Sequence, residues 1–185
     1  MRRGPWSLLD YVAVATIGVA CGVLFAGWNL LWGALSPLFA AIVPLQYLLF
    51  AGTWVIAGPL AGAIVQRRGA ALAAELAAAS VSFVLASQWS VDALLSGAAQ
   101  GLGAELGFVL LARRHGRGAI VLAGALSGLG MALHDIPIYF QGVDAAFAAL
   151  LAASMVTSAT LLGGGGALLL RDALRRSGAL DLIGA

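Results

Sequence analysis

Three acidic side chains lie within long apolar stretches of this 185-residue chain: Glu75, Glu105 and Asp135, the last beside His134. An acidic residue at the centre of a membrane helix costs roughly 2.5–3.5 kcal/mol on the insertion scale, so such residues usually face a cavity or a partner. No arginine or lysine lies within the same stretches. The counter-charge is therefore a proton, the neighbouring His134 or a cationic ligand, and the sequence leaves these alternatives open.

Further polar and aromatic residues can serve a binding site. Gln100 precedes Glu105 by five residues, which places the two side chains roughly 140° apart around a helix, so they need not share one cavity. Trp54 lies deep in its apolar stretch, where it offers a flat surface for stacking or for a cation–π contact. Tryptophan and tyrosine near the ends of membrane helices are typical interfacial residues. We interpret Trp32, Trp89 and Tyr139 in that way.

The sequence carries no recognisable catalytic, metal or nucleotide motif. The single Cys21 excludes an internal disulfide and a cysteine metal site, and neither His115 nor His134 belongs to a nucleophile or metal pattern. The glycine run at 163–166 lacks the lysine and hydroxyl residue of a phosphate-binding loop. It is either a close-packing site or a flexible point. We predict no catalytic residue, metal or cofactor, and we expect any ATP use to come from a partner.

The composition indicates an integral membrane protein. The chain is 62% hydrophobic and 10% charged, whereas a soluble domain usually has about 25% charged residues. The net charge is only +2, and no basic face is available for nucleic acid. The lipid bilayer is therefore the expected surroundings, and nucleic acid is excluded as a partner.

Six apolar stretches are long enough to cross a bilayer, which takes roughly 20 residues. The second contains Pro44, Gly52 and Pro59, so we predict that it is kinked, steeply tilted or split by a re-entrant piece. The six stretches cover residues 8–32, 36–66, 69–89, 92–113, 117–140 and 144–170.

The arginines predict the orientation. All ten basic residues are arginines, and in a six-span arrangement every one falls on the same side, while the opposite connections carry only Asp92 and Asp144. Positive residues concentrate on the cytoplasmic side of membrane proteins. We therefore predict one all-α membrane domain, residues 1–185, in the plasma membrane, with six transmembrane helices and both termini cytoplasmic.

Small residues recur at helix-packing intervals. Gly18, Gly22 and Ala26 form a ladder on the first span, and two glycine pairs recur on the fourth. Such ladders let helices approach closely. Two interpretations are open for the first ladder: packing within the chain, or a flat docking face for another membrane protein.

Several motifs together resemble one family. The stretches RRGAALAAELAAA (67–79) and GAAQGLGAELGF (97–108) resemble the S components of energy-coupling factor (ECF) vitamin transporters, in particular the YkoE-like group associated with thiamin and its hydroxymethylpyrimidine precursor. Further similarity lies in PLQYLLFAGTWV (44–55), HDIPIYF (134–140) and the ending SGALDLIGA (177–185).

The resemblance implies a six-helix subunit that binds a vitamin from outside and joins a transmembrane T component and two ATPase subunits, without hydrolysing anything itself. In this family the ladder of Gly18, Gly22 and Ala26 would dock the T component. The implied ligand contacts are Glu75, Gln100, Glu105, Asp135, His134, Trp54 and Tyr47.

The buried carboxylates also allow other functions. A proton-coupled carrier or an intramembrane enzyme is the main alternative, built on Glu75, Glu105, Asp135 and His134. Such a carrier often has two related halves, and no convincing internal repeat is visible. An enzyme would need an aligned base and nucleophile. A purely structural subunit would leave the carboxylates unexplained.

Overall fold

The computed structural model describes residues 5–86, 88–111 and 115–180, and all regular structure in these ranges is helical. A 3₁₀ helix, Ala51–Val55, joins α2 to α3, and a π-helical segment, Ala159–Gly165, joins α7 to α8. The all-α prediction is confirmed. The α-helices are α1 Leu8–Phe39, α2 Val43–Phe50, α3 Ala57–Val65, α4 Ala70–Ala86, α5 Asp92–Leu110, α6 Arg117–Tyr139, α7 Ala145–Ser158 and α8 Gly166–Arg176.

Five helical stretches are long and apolar enough to cross a membrane, and a shorter apolar helix, Ala70–Leu85, lies between the second and third of them. These six segments overlap the six predicted spans, although the first helix continues to Phe39 where the prediction ended at 32, and the second stretch begins at Val43 where the prediction began at 36. The shorter helix falls below the roughly 20 residues that a straight span needs, so the count of six crossings stays a prediction. The five long stretches are Leu8–Phe39, Val43–Val65, Asp92–Leu110, Arg117–Tyr139 and Ala145–Arg176.

The second apolar stretch is broken, as its prolines and glycine predicted. Pro44 lies in the first turn of α2, and Pro59 lies in the first turn of α3, where the missing amide hydrogen costs no helical bond. The 3₁₀ helix between them interrupts the regular hydrogen bonding. A new helix N-terminus, that of α3, is thereby created inside the protein, since every residue of α3 is buried.

The ladder on α1 packs against α4. A Cβ atom placed on Gly18 would lie 2.5 Å from the Cβ of Ala77, and one on Gly22 would lie 2.6 Å from the Cβ of Val81. Ala26, the third member, is also buried. The docking-face interpretation of Gly18, Gly22 and Ala26 is therefore wrong, because this face is already occupied within the chain. The alternative, internal packing, is correct.

Glycines on α5 allow its two neighbouring helices, α4 and α6, to pack closely against it. Gly97 and Gly101 face α4, where added Cβ atoms would lie 2.7 Å from the Cβ of Ala79 and 2.9 Å from the Cα of Leu72. Gly103 and Gly107 face α6. The glycine pairs predicted from the sequence thus bring α4, α5 and α6 close together. This close approach positions the polar side chains of α4 and α5 beside each other.

The glycine run at 163–166 is a packing site. A Cβ atom on Gly164 would lie 3.0 Å from both the carbonyl oxygen of Ile120 and the Cα of Val121, and one on Gly124 would lie 2.5 Å from the amide nitrogen of Gly164. The π-helical segment therefore lies directly on the backbone of α6. Of the two alternatives that the sequence left open, close packing is the one observed.

Arginines connect helix ends. The Nε of Arg67, between α3 and α4, lies 3.0 Å from Oδ2 of Asp10 in the first turn of α1. The buried Arg171 on α8 donates to the carbonyl oxygen of His115, just before α6. The predicted arginines at 2, 3, 113 and 114 lie outside the described residues. The contacts link the start of α1 to the α3–α4 connection, and the start of α6 to the middle of α8.

The predicted orientation can be tested with topology reporters. A reporter fused after Ala185 is expected to be active in the cytoplasm, and one inserted between Ser90 and Asp92 is expected to report the outside, because the arginine-rich connections stay in the cytoplasm. Activity of either fusion on the opposite side would contradict the six-span, N-in and C-in arrangement.

Candidate functional site

One cavity in the described part of the bundle brings together polar side chains from several helices. It contains about 560 Å³ of empty space, including its opening to the surroundings. Its lining comes mainly from the middle and later part of α1, from α4, from the first half of α5 and from the last turns of α6. Apart from Glu75, these residues lie far along the chain from the arginine-bearing connections. The lining residues are Phe25, Asn29, Tyr47, Trp54, Glu75, Ala79, Ser82, Trp89, Ala93, Ser96, Gly97, Gln100, Met131, Asp135 and Tyr139.

Glu75 is the most deeply buried polar residue of the cavity, with 1% of its surface exposed. Its Oε2 accepts a 2.7 Å hydrogen bond from the amide of Gly58, in the first turn of α3. The amides at a helix N-terminus lack partners within the helix and favour a negative charge. The other oxygen, Oε1, is buried and has no hydrogen-bond partner among the described residues. Half of this carboxylate is therefore fixed, and half is available to a ligand.

Asp135 belongs to a hydrogen-bonded chain across α5 and α6. Nε2 of Gln100 donates to Oγ of Ser96 over 2.8 Å, and Ser96 donates to Oδ1 of Asp135 over 3.0 Å. Nδ1 of His134 lies 2.8 Å from the same carboxylate oxygen. Three lining side chains, Gln100, Ser96 and Asp135, are thus held in fixed positions before any ligand binds.

The opposite wall carries a second polar group that the sequence analysis missed. Nδ2 of Asn29 donates to Oγ of Ser82 over 3.0 Å, and the indole of Trp54 donates to Oδ1 of Asn29 over the same distance. These contacts join α1, α4 and the 3₁₀ helix. The sequence did contain a sign of this pair, because Asn29 and Ser82 both lie within otherwise apolar spans. Burying an unpaired polar side chain there costs free energy, so two such residues are expected to find partners.

Aromatic rings surround the cavity. Trp54 and Trp89 meet edge to face with their centroids 6.4 Å apart, and Trp89 lies 5.1 Å from Tyr139. We call the end of the cavity formed by Trp89, Ala93 and Tyr139 the mouth. Trp32 is only 6% exposed and packs between Tyr47 and Trp54. The interfacial interpretation is therefore wrong for Trp32, and it overlooked that Trp89 and Tyr139 line the cavity.

Five of the seven predicted ligand contacts line the cavity, and two do not. Glu105 lies outside the lining and accepts a 3.1 Å hydrogen bond from the amide of Ala71 in the first turn of α4. The angle between Gln100 and Glu105 on α5 explains why only Gln100 reaches the cavity. His134 contacts Asp135 but does not line the cavity. The five lining residues are Glu75, Gln100, Asp135, Trp54 and Tyr47.

The lining therefore combines two carboxylates, Glu75 and Asp135, with five aromatic side chains and no basic residue. Carboxylates accept hydrogen bonds from N–H donors and attract cations, and aromatic faces attract cations and flat rings. No group of three or more histidine, cysteine, aspartate or glutamate residues suited to a metal ion occurs in the described ranges. This chemistry suits a flat organic ligand with N–H donors or a positive charge.

The apolar helices and the cavity suit a membrane protein that binds a small molecule, and comparison with known proteins gives its family. The family described as the permease component of ABC-type cobalt transport systems matches residues 9–130. The chain belongs to this family. It is a membrane-embedded transport subunit and not an enzyme.

Two individual proteins refine this assignment. The chain is 28% identical over 134 residues, 71% of its own length, to the "Putative HMP/thiamine permease protein YkoE" of Bacillus subtilis (strain 168), and the match spans 65% of that relative. A solved structure described as an S-component of an ECF transporter has the same fold, with a TM-score of 0.88 at 22% identity, covering 96% of this chain and 89% of the other. The resemblance to ECF S components seen in the sequence is confirmed.

Proposed function

We propose that this protein binds thiamin or its hydroxymethylpyrimidine precursor from outside the cell as the substrate-specific S component of an ECF importer. The observation that carries the proposal is the buried Glu75 carboxylate, with one oxygen held by Gly58 and the other free of partners in an aromatic cavity. The name of the relative from Bacillus subtilis supports the same ligand class.

The chemistry of an aminopyrimidine matches this arrangement. Its amino group donates hydrogen bonds and its ring nitrogen can be protonated, so a carboxylate can accept from both. Thiamin adds a permanent positive charge, which Asp135 and the faces of Trp54, Trp89 and Tyr139 can stabilise. The pyrimidine ring stacks on the aromatic wall, while Glu75 accepts hydrogen bonds from its amino group and its protonated ring nitrogen.

The proposed partners follow from what the chain lacks and from its family. The sequence has no nucleotide-binding loop, so ATP hydrolysis is assigned to two ATPase subunits that are connected through a T component. The T component binds elsewhere than the ladder of Gly18, Gly22 and Ala26, because α4 covers that face. With the arginines in the cytoplasm, the mouth of the cavity opens to the outside.

A ligand panel on the purified protein tests the function. Thiamin or hydroxymethylpyrimidine is expected to raise the melting temperature, because a ligand at 100 times its Kd stabilises the folded state by about 2.7 kcal/mol. Riboflavin, biotin, an amino acid and cobalt(II) are expected to have no effect at the same concentration. Stabilisation by one of these four, with none by thiamin or hydroxymethylpyrimidine, would refute the proposed ligand class.

A further inference from the structure

His134 lies between two carboxylates at the mouth without lining the cavity. Its Nδ1 is 2.8 Å from Oδ1 of Asp135 on its own helix, and its Nε2 is 3.5 Å from Oδ1 of Asp92 at the start of α5. The phenol of Tyr139, at the end of α6, donates to the other oxygen of Asp92. Within the described ranges, Asp92 and Asp135 are the charged groups within ion-pair distance of His134.

The geometry favours one protonation state. A neutral imidazole has one N–H and one lone pair, so either tautomer directs a lone pair at a carboxylate oxygen. The imidazolium has two N–H groups and can donate toward both Asp92 and Asp135. Nε2 of His134 is buried and makes no hydrogen bond in the described structure. A short movement of Asp92 toward a protonated Nε2 would satisfy that atom.

Several lining residues are connected to one another through Asp92, His134 and Asp135. Asp92 holds Tyr139, and Asp135 accepts from Ser96, which in turn accepts from Gln100. His134 therefore connects two groups of side chains, one at the mouth and one in the middle of the cavity. Four of these residues line the cavity: Tyr139, Asp135, Ser96 and Gln100.

We propose that His134 is a positioning residue whose protonated side chain bridges Asp92 and Asp135, so that the mouth keeps its shape and the bound ligand is retained. The bridge needs both N–H groups of the imidazolium, so a neutral side chain at this position cannot form it. Ligand dissociation is therefore slower while the bridge is present. The effect on retention rests on the proposed function, but the bridge itself does not.

Two measurements test the bridge at about pH 5.5 and about pH 8.5, which enclose the range in which histidine changes charge. The first is the melting temperature without ligand. His134→Gln, which is neutral at every pH, is expected to lose a stabilisation of roughly 2–4 °C that the wild type shows at acidic pH. The second is the dissociation rate of thiamin. At about pH 5.5 it is expected to be about tenfold slower in the wild type than in His134→Gln, and at about pH 8.5 the two rates are expected to agree.

His115→Gln is the matched control, because His115 stacks on Phe108 and lies among the arginine-bearing connections. It is expected to keep both wild-type pH profiles, and comparing variants at equal pH removes the titration of thiamin itself. A wild-type pH profile of the melting temperature that persists in His134→Gln would overturn the inference. Should thiamin fail to bind at either pH, the proposed function fails, and the ligand-free measurement still decides whether the bridge exists.

Discussion

Replacing Glu75 by glutamine is expected to weaken the binding of thiamin or hydroxymethylpyrimidine at least tenfold while the protein stays folded. Glutamine has nearly the same size, and its amide oxygen can still accept the hydrogen bond from Gly58. Its NH₂ group then takes the place of Oε1, where it meets the ligand's own donors. A charge-assisted hydrogen bond contributes about 1.5–3 kcal/mol, and tenfold in Kd corresponds to about 1.4 kcal/mol. Isothermal titration of the wild type and the variant measures the difference.

Glu105→Gln is the matched control for this experiment. Glu105 is also an acidic residue within an apolar helix, but it lies outside the cavity and accepts from the amide of Ala71. Its replacement is expected to leave the Kd unchanged. If Glu75→Gln binds as tightly as the wild type while Gln100→Ala or Asp135→Asn loses binding, Glu75 serves only as the cap of α3 and the ligand is held by the other wall.

A leucine at Gly22 is expected to prevent folding and to abolish ligand binding at the same time. Even the Cβ of an alanine would lie 2.6 Å from the Cβ of Val81 and 2.7 Å from the backbone oxygen of Ala78. Overpacking of this kind costs typically 1–3 kcal/mol, and leucine adds three more carbon atoms against the backbone of α4. The measurement is the yield of monodisperse protein in mild detergent, followed by thiamin binding.

Gly27→Leu provides the control on the same helix. Gly27 is exposed, and a Cβ atom there would have no neighbour within 4 Å. This variant is expected to fold and to bind like the wild type. A Gly22→Leu protein that folds and binds thiamin, but no longer associates with its T component, would show that the ladder faces a partner and would contradict the packing of α1 on α4.

The ladder matters for the site because α1 and α4, which it packs together, both line the cavity. Asn29 on α1 bonds to Ser82 on α4, about two turns along α1 from Gly22, which contacts Ala78 and Val81. Glu75 lies on the same helix, near the contact of Gly18 with Ala77. A larger residue in the ladder would therefore displace the helix that carries the principal carboxylate.

The sequence by itself determined the helical membrane class, the positions of the apolar helices and the break in the second one. These properties depend on local composition and on single residues, since roughly 20 apolar residues make a span and a proline favours the first turn of a helix over its interior. It also singled out Glu75, Gln100 and Asp135, because an ionisable or amide group in an apolar span stands out by its cost.

Only the tertiary structure decided which face of each helix is buried. In a soluble protein the apolar face marks the interior, but lipid tails are as apolar as leucine, so a membrane helix carries no such mark. For this reason the sequence left open whether Gly22 faces α4 or a partner, and it placed both Gln100 and Glu105 at the ligand. The same uncertainty hid Asn29, whose role depends on a serine 53 residues further along the chain.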